Sequence, residues 1–220
     1  MIPSQYVWSE QITLTKLEAA RRQLCTAIEL WFADRDPVSV HTLAAAAYEI
    51  IHALSKKRNP GRRDLLFDSI IIKDEYRKDW VAHLKKEQNF FKHADRDPDS
   101  IIEFSPKFTE FFIMFSILGL SQIGETLDTL ESAFMFWLQF HRPKLLKPDV
   151  RDRLAAGIPV EDMDEVKRLS KPQFLAEFLK YRVSASQRPR RSRGVRLPTY
   201  DTPEIAHEPR LKEEEDGALL

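Results

Sequence analysis

The stretch Gln88-Asn89-Phe90-Phe91-Lys92-His93-Ala94 carries the residues best suited to chemistry. Asn89 and His93 are four apart, so on a helix both project from one face. Histidine titrates near neutrality, and an Asn/His pair facing a cleft can transfer protons and hold a phosphate oxygen. A second role also suits His93. In the last turn of a helix, a partly positive ring is favoured by the negative end of the dipole.

Directly after this stretch the chain reads Ala-Asp-Arg-Asp-Pro (94–98), a phrase already used at 33–37. Asp95, Asp97 and Asp99 alternate like the first three ligands of an EF-hand loop. That loop needs Gly at its sixth position and Glu at its twelfth, where this chain has Ser100 and Pro106. Pro98 stiffens the fourth position, and the first copy has Val38 in place of the third acid. Calcium binding of that kind is excluded, and no metal or cofactor is expected. The phrase reads instead as a junction between helices. Asp36 and Asp97 supply N-cap carboxylates for a following element, and Pro37 and Pro98 suit the first helical position, where a missing N–H costs nothing.

Other catalytic patterns are missing. There is no Gly-rich phosphate loop, no G-x-S-x-G elbow and no H-E-x-x-H. Cys25 is the single cysteine, which rules out an internal disulfide and a CxxC site. His41, His52 and His83 have no partner that spacing identifies.

The elements that must position these residues are helical. Thr15-Lys16-Leu17-Glu18 fits a capping box, and Leu17, Ala20, Leu24, Ala27, Ile28 and Trp31 form one apolar face of a first helix. Asp36 and Pro37 open a second, alanine-rich helix that stops at Asn59-Pro60-Gly61. Its alanines at 44–47 leave room for a close neighbour. Residues 64–72, DLLFDSIII, fit helix or strand. A third long helix is predicted over 73–94, with Tyr76, Trp80, Leu84 and Phe91 inward. Residues 101–108 read as a connector. Two aromatic helices follow at about 107–118 and 125–141, split by Gly119 and Gly124, and further helices are predicted near 150–156 and 160–181, with Pro172 a point of interruption.

The expected architecture is all-α: an N-terminal arm (1–14), a four- to five-helix bundle (15–141), a short helical extension (142–181) and a disordered charged tail (182–220). Only six glycines in 220 residues agree with helices. Thirty-four basic and thirty-four acidic residues cancel, so nothing global attracts nucleic acid or anionic surfaces. No apolar run approaches the roughly 20 residues of a membrane span. A cytoplasmic setting without a membrane partner is expected. Within the tail, Arg188, Arg190, Arg191, Arg193 and Arg196 form a cluster able to hold nucleic-acid phosphates, opposed by the acidic run Glu213–Asp216. The aromatic surplus of the second half predicts a homodimer.

Two of these pieces resemble the HEPN superfamily of small helical domains. Residues 17–54, with Ala47-Tyr48-Glu49 in the place of an A-x-E element, resemble its front half. QNFFKHA (88–94) is similar to its R-x4–6-H motif, with Asn89 and His93 on the polar and histidine positions. Gln88 stands where arginine falls at the four-residue spacing, Glu87 at five and Lys86 at six. In catalytic members the resemblance implies metal-independent RNA cleavage across a dimer, with histidine assisting proton transfer and arginine steadying the phosphate. An amide at Gln88 lacks that charge and fork of donors, for which Lys86 or Lys92 could substitute. The resemblance therefore leads first to a binding or interaction module in a prokaryotic regulatory or defence system, with RNA or a protein as partner. The alternative is an endoribonuclease using His93, Asn89 and a substitute cation.

Overall fold

The computed structural model of the chain describes residues 11–95, 97–145 and 160–187, and among them every regular element is helical. Helix α1 (Lys16–Phe32) opens on the capping box: Glu18 N–H donates to Thr15 Oγ1 at 3.1 Å, and Thr15 N–H donates to the Glu18 carboxylate at 2.8 Å. Its predicted stripe is the buried one, with Ala20, Leu24, Ala27, Ile28 and Trp31 all in the core.

The first Ala-Asp-Arg-Asp-Pro closes α1 and opens α2 with no residue to spare. Ala33 is the C-cap, and Asp34 takes a positive φ of 49°. Arg35 N–H then reaches back to the Leu30 carbonyl at 2.9 Å, the Schellman pattern that satisfies orphan carbonyls. Asp36 accepts from Ser39 N–H at 2.8 Å as N-cap of α2 (Pro37–Arg58), whose first residue is Pro37. The four-residue turn folds α1 and α2 into an antiparallel hairpin.

The second copy behaves differently, which corrects the junction reading for Asp97. The preceding helix ends at Lys92, and no helix starts at Pro98. Ser100 N–H donates to the Asp97 main-chain carbonyl at 3.0 Å, so the segment is a turn.

The predicted helix over 73–94 is divided. A 3₁₀ turn (Asp74–Tyr76) leads into α3 (Arg77–Leu84), and α4 (Lys86–Lys92) follows a bend at Lys85. Lys85 N–H still donates to Val81 and Asn89 N–H to Lys85 across the bend, so the backbone is bent rather than opened. The cause is tertiary. Lys85 Nζ lies 2.5 Å from Glu49 of α2 and sits over the Phe67 ring. Of the residues predicted inward, Leu84 is buried but Tyr76 faces solvent. Residues 64–72 are neither helix nor strand throughout; a single 3₁₀ turn (Leu66–Asp68) buries Leu65, Leu66 and Phe67.

Helices α5 (Thr109–Gln122) and α6 (Thr129–His141) complete the bundle. Gly119 does not break α5 as predicted. It lies inside the helix against α2, where an added Cβ would stand 2.6 Å from Ile51 Cγ2. Gly124 does end it, with a φ of 84° and Glu125 N–H donating to the Leu120 carbonyl. Helix α6 starts at Thr129, four residues later than predicted, with Asp128 as its N-cap. Asp128 and Glu131 form a reciprocal capping box there.

Helices α7 (Val160–Arg168) and α8 (Lys171–Gln187) follow; the helix predicted near 150–156 lies outside the described residues. The interruption falls at Leu169-Ser170 rather than at Pro172, which is tolerated in the first turn of α8. Helix α8 also continues to Gln187, so residues 182–187 are helical where a disordered tail was predicted.

Phe174 of α8 is buried, stacked on Phe32 and facing Phe136, with Phe178 also on Phe136. No aromatic residue of α5 or α6 is fully exposed. Phe111, Phe115 and Phe136 stay partly exposed, and Tyr181 of α8 faces solvent.

Candidate functional site

Helix α4 presents Gln88 and Asn89 to opposite environments. Gln88 is 1% exposed and donates from Nε2 to the Glu49 carboxylate at 3.3 Å, beside the Lys85 ammonium on the same acid. Its Oε1 is buried without a hydrogen-bond partner. The A-Y-E element of α2 and the first residue of QNFFKHA therefore meet, but away from the histidine.

Asn89 and His93 face solvent along one groove of about 600 Å³, which Lys86, Phe90, Asp95, Asp97 and Ile102 also line. His93 is the C-cap of α4, already extended (φ −128°, ψ 120°), and its N–H donates to the Asn89 carbonyl at 3.0 Å. Its Nδ1 lies 3.9 Å from Asp95 Oδ1, and the ring is mostly exposed. The structure so brings together Asn89, His93 and the cation of Lys86, and turns Gln88 into the core. Of the two lysines that the sequence offered as a substitute cation, Lys86 lines the groove, as its helical spacing from Asn89 and His93 allows. The acids at 95 and 97 were the part of the groove that sequence reasoning did not assign.

Behind the groove, His41 of α2 is fully buried in an aromatic cage. Phe91, Phe104 and Phe112 stand edge-on to its ring, with centroids 5.1–5.8 Å away. Nδ1 lies 3.0 Å from Thr109 Oγ1, and Nε2 has no hydrogen-bond partner. Burial pushes its pKa down to about 4, with Glu87 opposing and Lys92 reinforcing the shift. The ring is neutral at pH 7 and serves packing.

A polar knot joins α1 to the start of α6. The ligand atoms of Cys25, Asp128 and Glu131 lie within 4.8 Å of one another, a set with the chemistry to hold a metal ion. Each is otherwise engaged. Asp128 and Glu131 cap α6, Arg21 donates to Glu131 at 3.1 Å, and the Cys25 thiol donates to Asp128 at 2.8 Å. Burial, and then that bond to Asp128, push the Cys25 pKa well up, so the thiol keeps its proton. Burial likewise raises that of Glu131. With a guanidinium already neutralising the carboxylates, the knot is a helix cap pinned to its neighbour. D-x-x-E at 128–131 was its legible sign.

The arginines Arg188, Arg190, Arg191, Arg193 and Arg196 lie outside the described residues. Among those described, no helix is long and apolar enough to cross a membrane. Comparison with family models, with curated proteins and with solved structures returned no match to this chain.

Proposed function

We propose that this chain is a HEPN-like helical binding module of a cytoplasmic prokaryotic regulatory or defence system, acting without strong catalysis through the groove along α4. One observation carries the reading: the residue in the arginine position, Gln88, is buried against Glu49 and does not line the groove. A phosphate held beside His93 would meet no fork of fixed donors from that position, so transition-state charge would go largely uncompensated. What the groove offers is recognition chemistry: an amide, an imidazole, an ammonium and two carboxylates around an apolar floor. RNA or a protein segment is the proposed partner, with the arginines at 188–196 as a second, phosphate-holding element.

A metal-free incubation with single-stranded RNA tests this, run with the native chain and with His93→Ala. The expected result is no cleavage, or equal trace cleavage, by both. Cleavage lost on His93→Ala would overturn it in favour of the endoribonuclease reading. The placement of Lys86 in one groove with Asn89 and His93 favours that second reading. It requires Lys86→Ala to abolish cleavage as well.

A further inference from the structure

The first Ala-Asp-Arg-Asp-Pro joins α1 to α2, and that junction uses every residue of the phrase except one side chain. Ala33 is the C-cap, Asp34 takes the left-handed turn, Asp36 caps α2 and Pro37 is its first residue. The main chain of Arg35 closes the turn, but its guanidinium has no task there. It is exposed and, among the described residues, makes neither an ion pair nor a hydrogen bond. Arg35 instead lines a pocket of about 290 Å³ between the α1–α2 turn and the starts of α5 and α8.

Lys107 lines the same pocket from the 3₁₀ turn (Pro106–Phe108) that leads into α5. Its side chain is likewise exposed and unpaired among the described residues. The nearby acids are taken by other groups. Lys171 lies 2.9 Å from Asp34, with its ammonium 4.1 Å from the centre of the Trp31 ring. Arg142 donates to both oxygens of Glu110 at 3.0 Å, a fork that fits the carboxylate plane. Asp36 is not among the lining residues; it accepts from the N–H and hydroxyl of Ser39 and offsets the positive end of α2. Both lining acids are thus neutralised, and two unpaired positive charges from separate elements meet at one cavity.

The rest of the wall is mostly apolar, formed by Trp31, Pro37, Val40 and Pro106. Both cations leave from fixed backbone. Arg35 N–H is tied to the Leu30 carbonyl at 2.9 Å, and Phe108 N–H to that of Ser105 at 3.1 Å, across Lys107. A ligand would order two side chains and no loop, which keeps its entropic cost small. Charge and size then select the ligand. A cavity of this volume stands at the lower limit of small-molecule sites. A guanidinium fork matches phosphate or carboxylate oxygens in two parallel bonds. A second cation on another element favours a group with two negative charges. A phosphate monoester carries about that charge near neutral pH, with three acceptor oxygens. A carboxylate carries one charge and would leave one cation unmatched.

We propose that this pocket binds a small organic phosphate monoester, with Arg35 and Lys107 on the phosphate and the apolar body against Pro37, Val40 and Pro106. The site shares no residue with the groove along α4. The test is calorimetric titration of the full chain with phenyl phosphate, inorganic phosphate and benzoate. Arg35→Gln, Lys107→Gln and, as a control for overall charge, Lys57→Gln run in parallel, with thermal midpoints as the check on folding. Saturable one-site binding of phenyl phosphate is expected, tighter than that of inorganic phosphate, which lacks the apolar body, and of benzoate, which lacks the second charge. Arg35→Gln and Lys107→Gln should keep their thermal midpoints and each lose roughly tenfold in affinity, the worth of one charge-assisted hydrogen bond. Lys57→Gln should bind as the native chain does. Absence of saturable binding by the native chain overturns the proposal, as does unchanged affinity in either pocket variant. Equal affinity for benzoate would make this a carboxylate site, and an equal loss in Lys57→Gln would reduce the binding to general attraction of anions; either result overturns it.

Discussion

Acidification should weaken this fold through one ring. His41 is neutral and caged in the folded chain, with its pKa lowered from the ordinary 6.5 to about 4. The unfolded chain therefore binds more protons between those values, and stability falls as pH drops through that window. Above pH 6.5 the contribution is complete. At about 1.4 kcal/mol per pKa unit, the full loss below the folded pKa is about 3 kcal/mol, of which about 2 kcal/mol is gone at pH 5. Carboxylates titrate over the same range, so the measurement must isolate the ring. Urea unfolding at pH 7 and pH 5 should be compared between the native chain and His41→Leu, which fills an apolar cage with a similar volume. The native chain should lose about 2 kcal/mol more than the variant between the two pH values. Equal losses would refute the reasoning, because they would mean that His41 is protonated in the folded chain without expulsion from its cage.

Three further outcomes follow from the local geometry. Asp36→Ala should cost about 1 kcal/mol of thermal stability, as an N-cap does, while Asp97→Ala should leave the melting curve unchanged, because only the first copy of the phrase caps a helix. Gly119→Ala should destabilise by about 1–2 kcal/mol despite the better helix propensity of alanine, since its Cβ meets the γ-methyl of Ile51; a neutral or stabilising result in denaturant titration would show that the helices can move apart. Alkylation of Cys25 at pH 8 should be far slower in the native chain than in urea, because burial and the Asp128 bond keep the thiol protonated. Equal rates would contradict the knot between α1 and α6.

The two copies of Ala-Asp-Arg-Asp-Pro show where legibility stopped. Around the first, an apolar stripe runs in and an alanine-rich stripe runs out, and cap chemistry between two strong helices has one outcome. The second is flanked by the same polar signal, but the connector after it has no helical stripe to propagate, so the cap residues had nothing to start. Gln88 and Asn89 show the same limit within the candidate site. They are adjacent amides of similar chemistry, and nothing local assigns one to a carboxylate in the core and the other to solvent. That choice came from Glu49, thirty-nine residues away.

By itself the sequence determined the helical class, the start of α1, the α1–α2 junction and the buried face of α1. These are set by 3.6-residue periodicity and by caps whose partners lie within four residues. Only the tertiary structure decided the bend at Lys85, the inward turn of Gln88 and the caging of His41. Each depends on a side chain or carbonyl from another element, and such a partner exists only once the chain has packed.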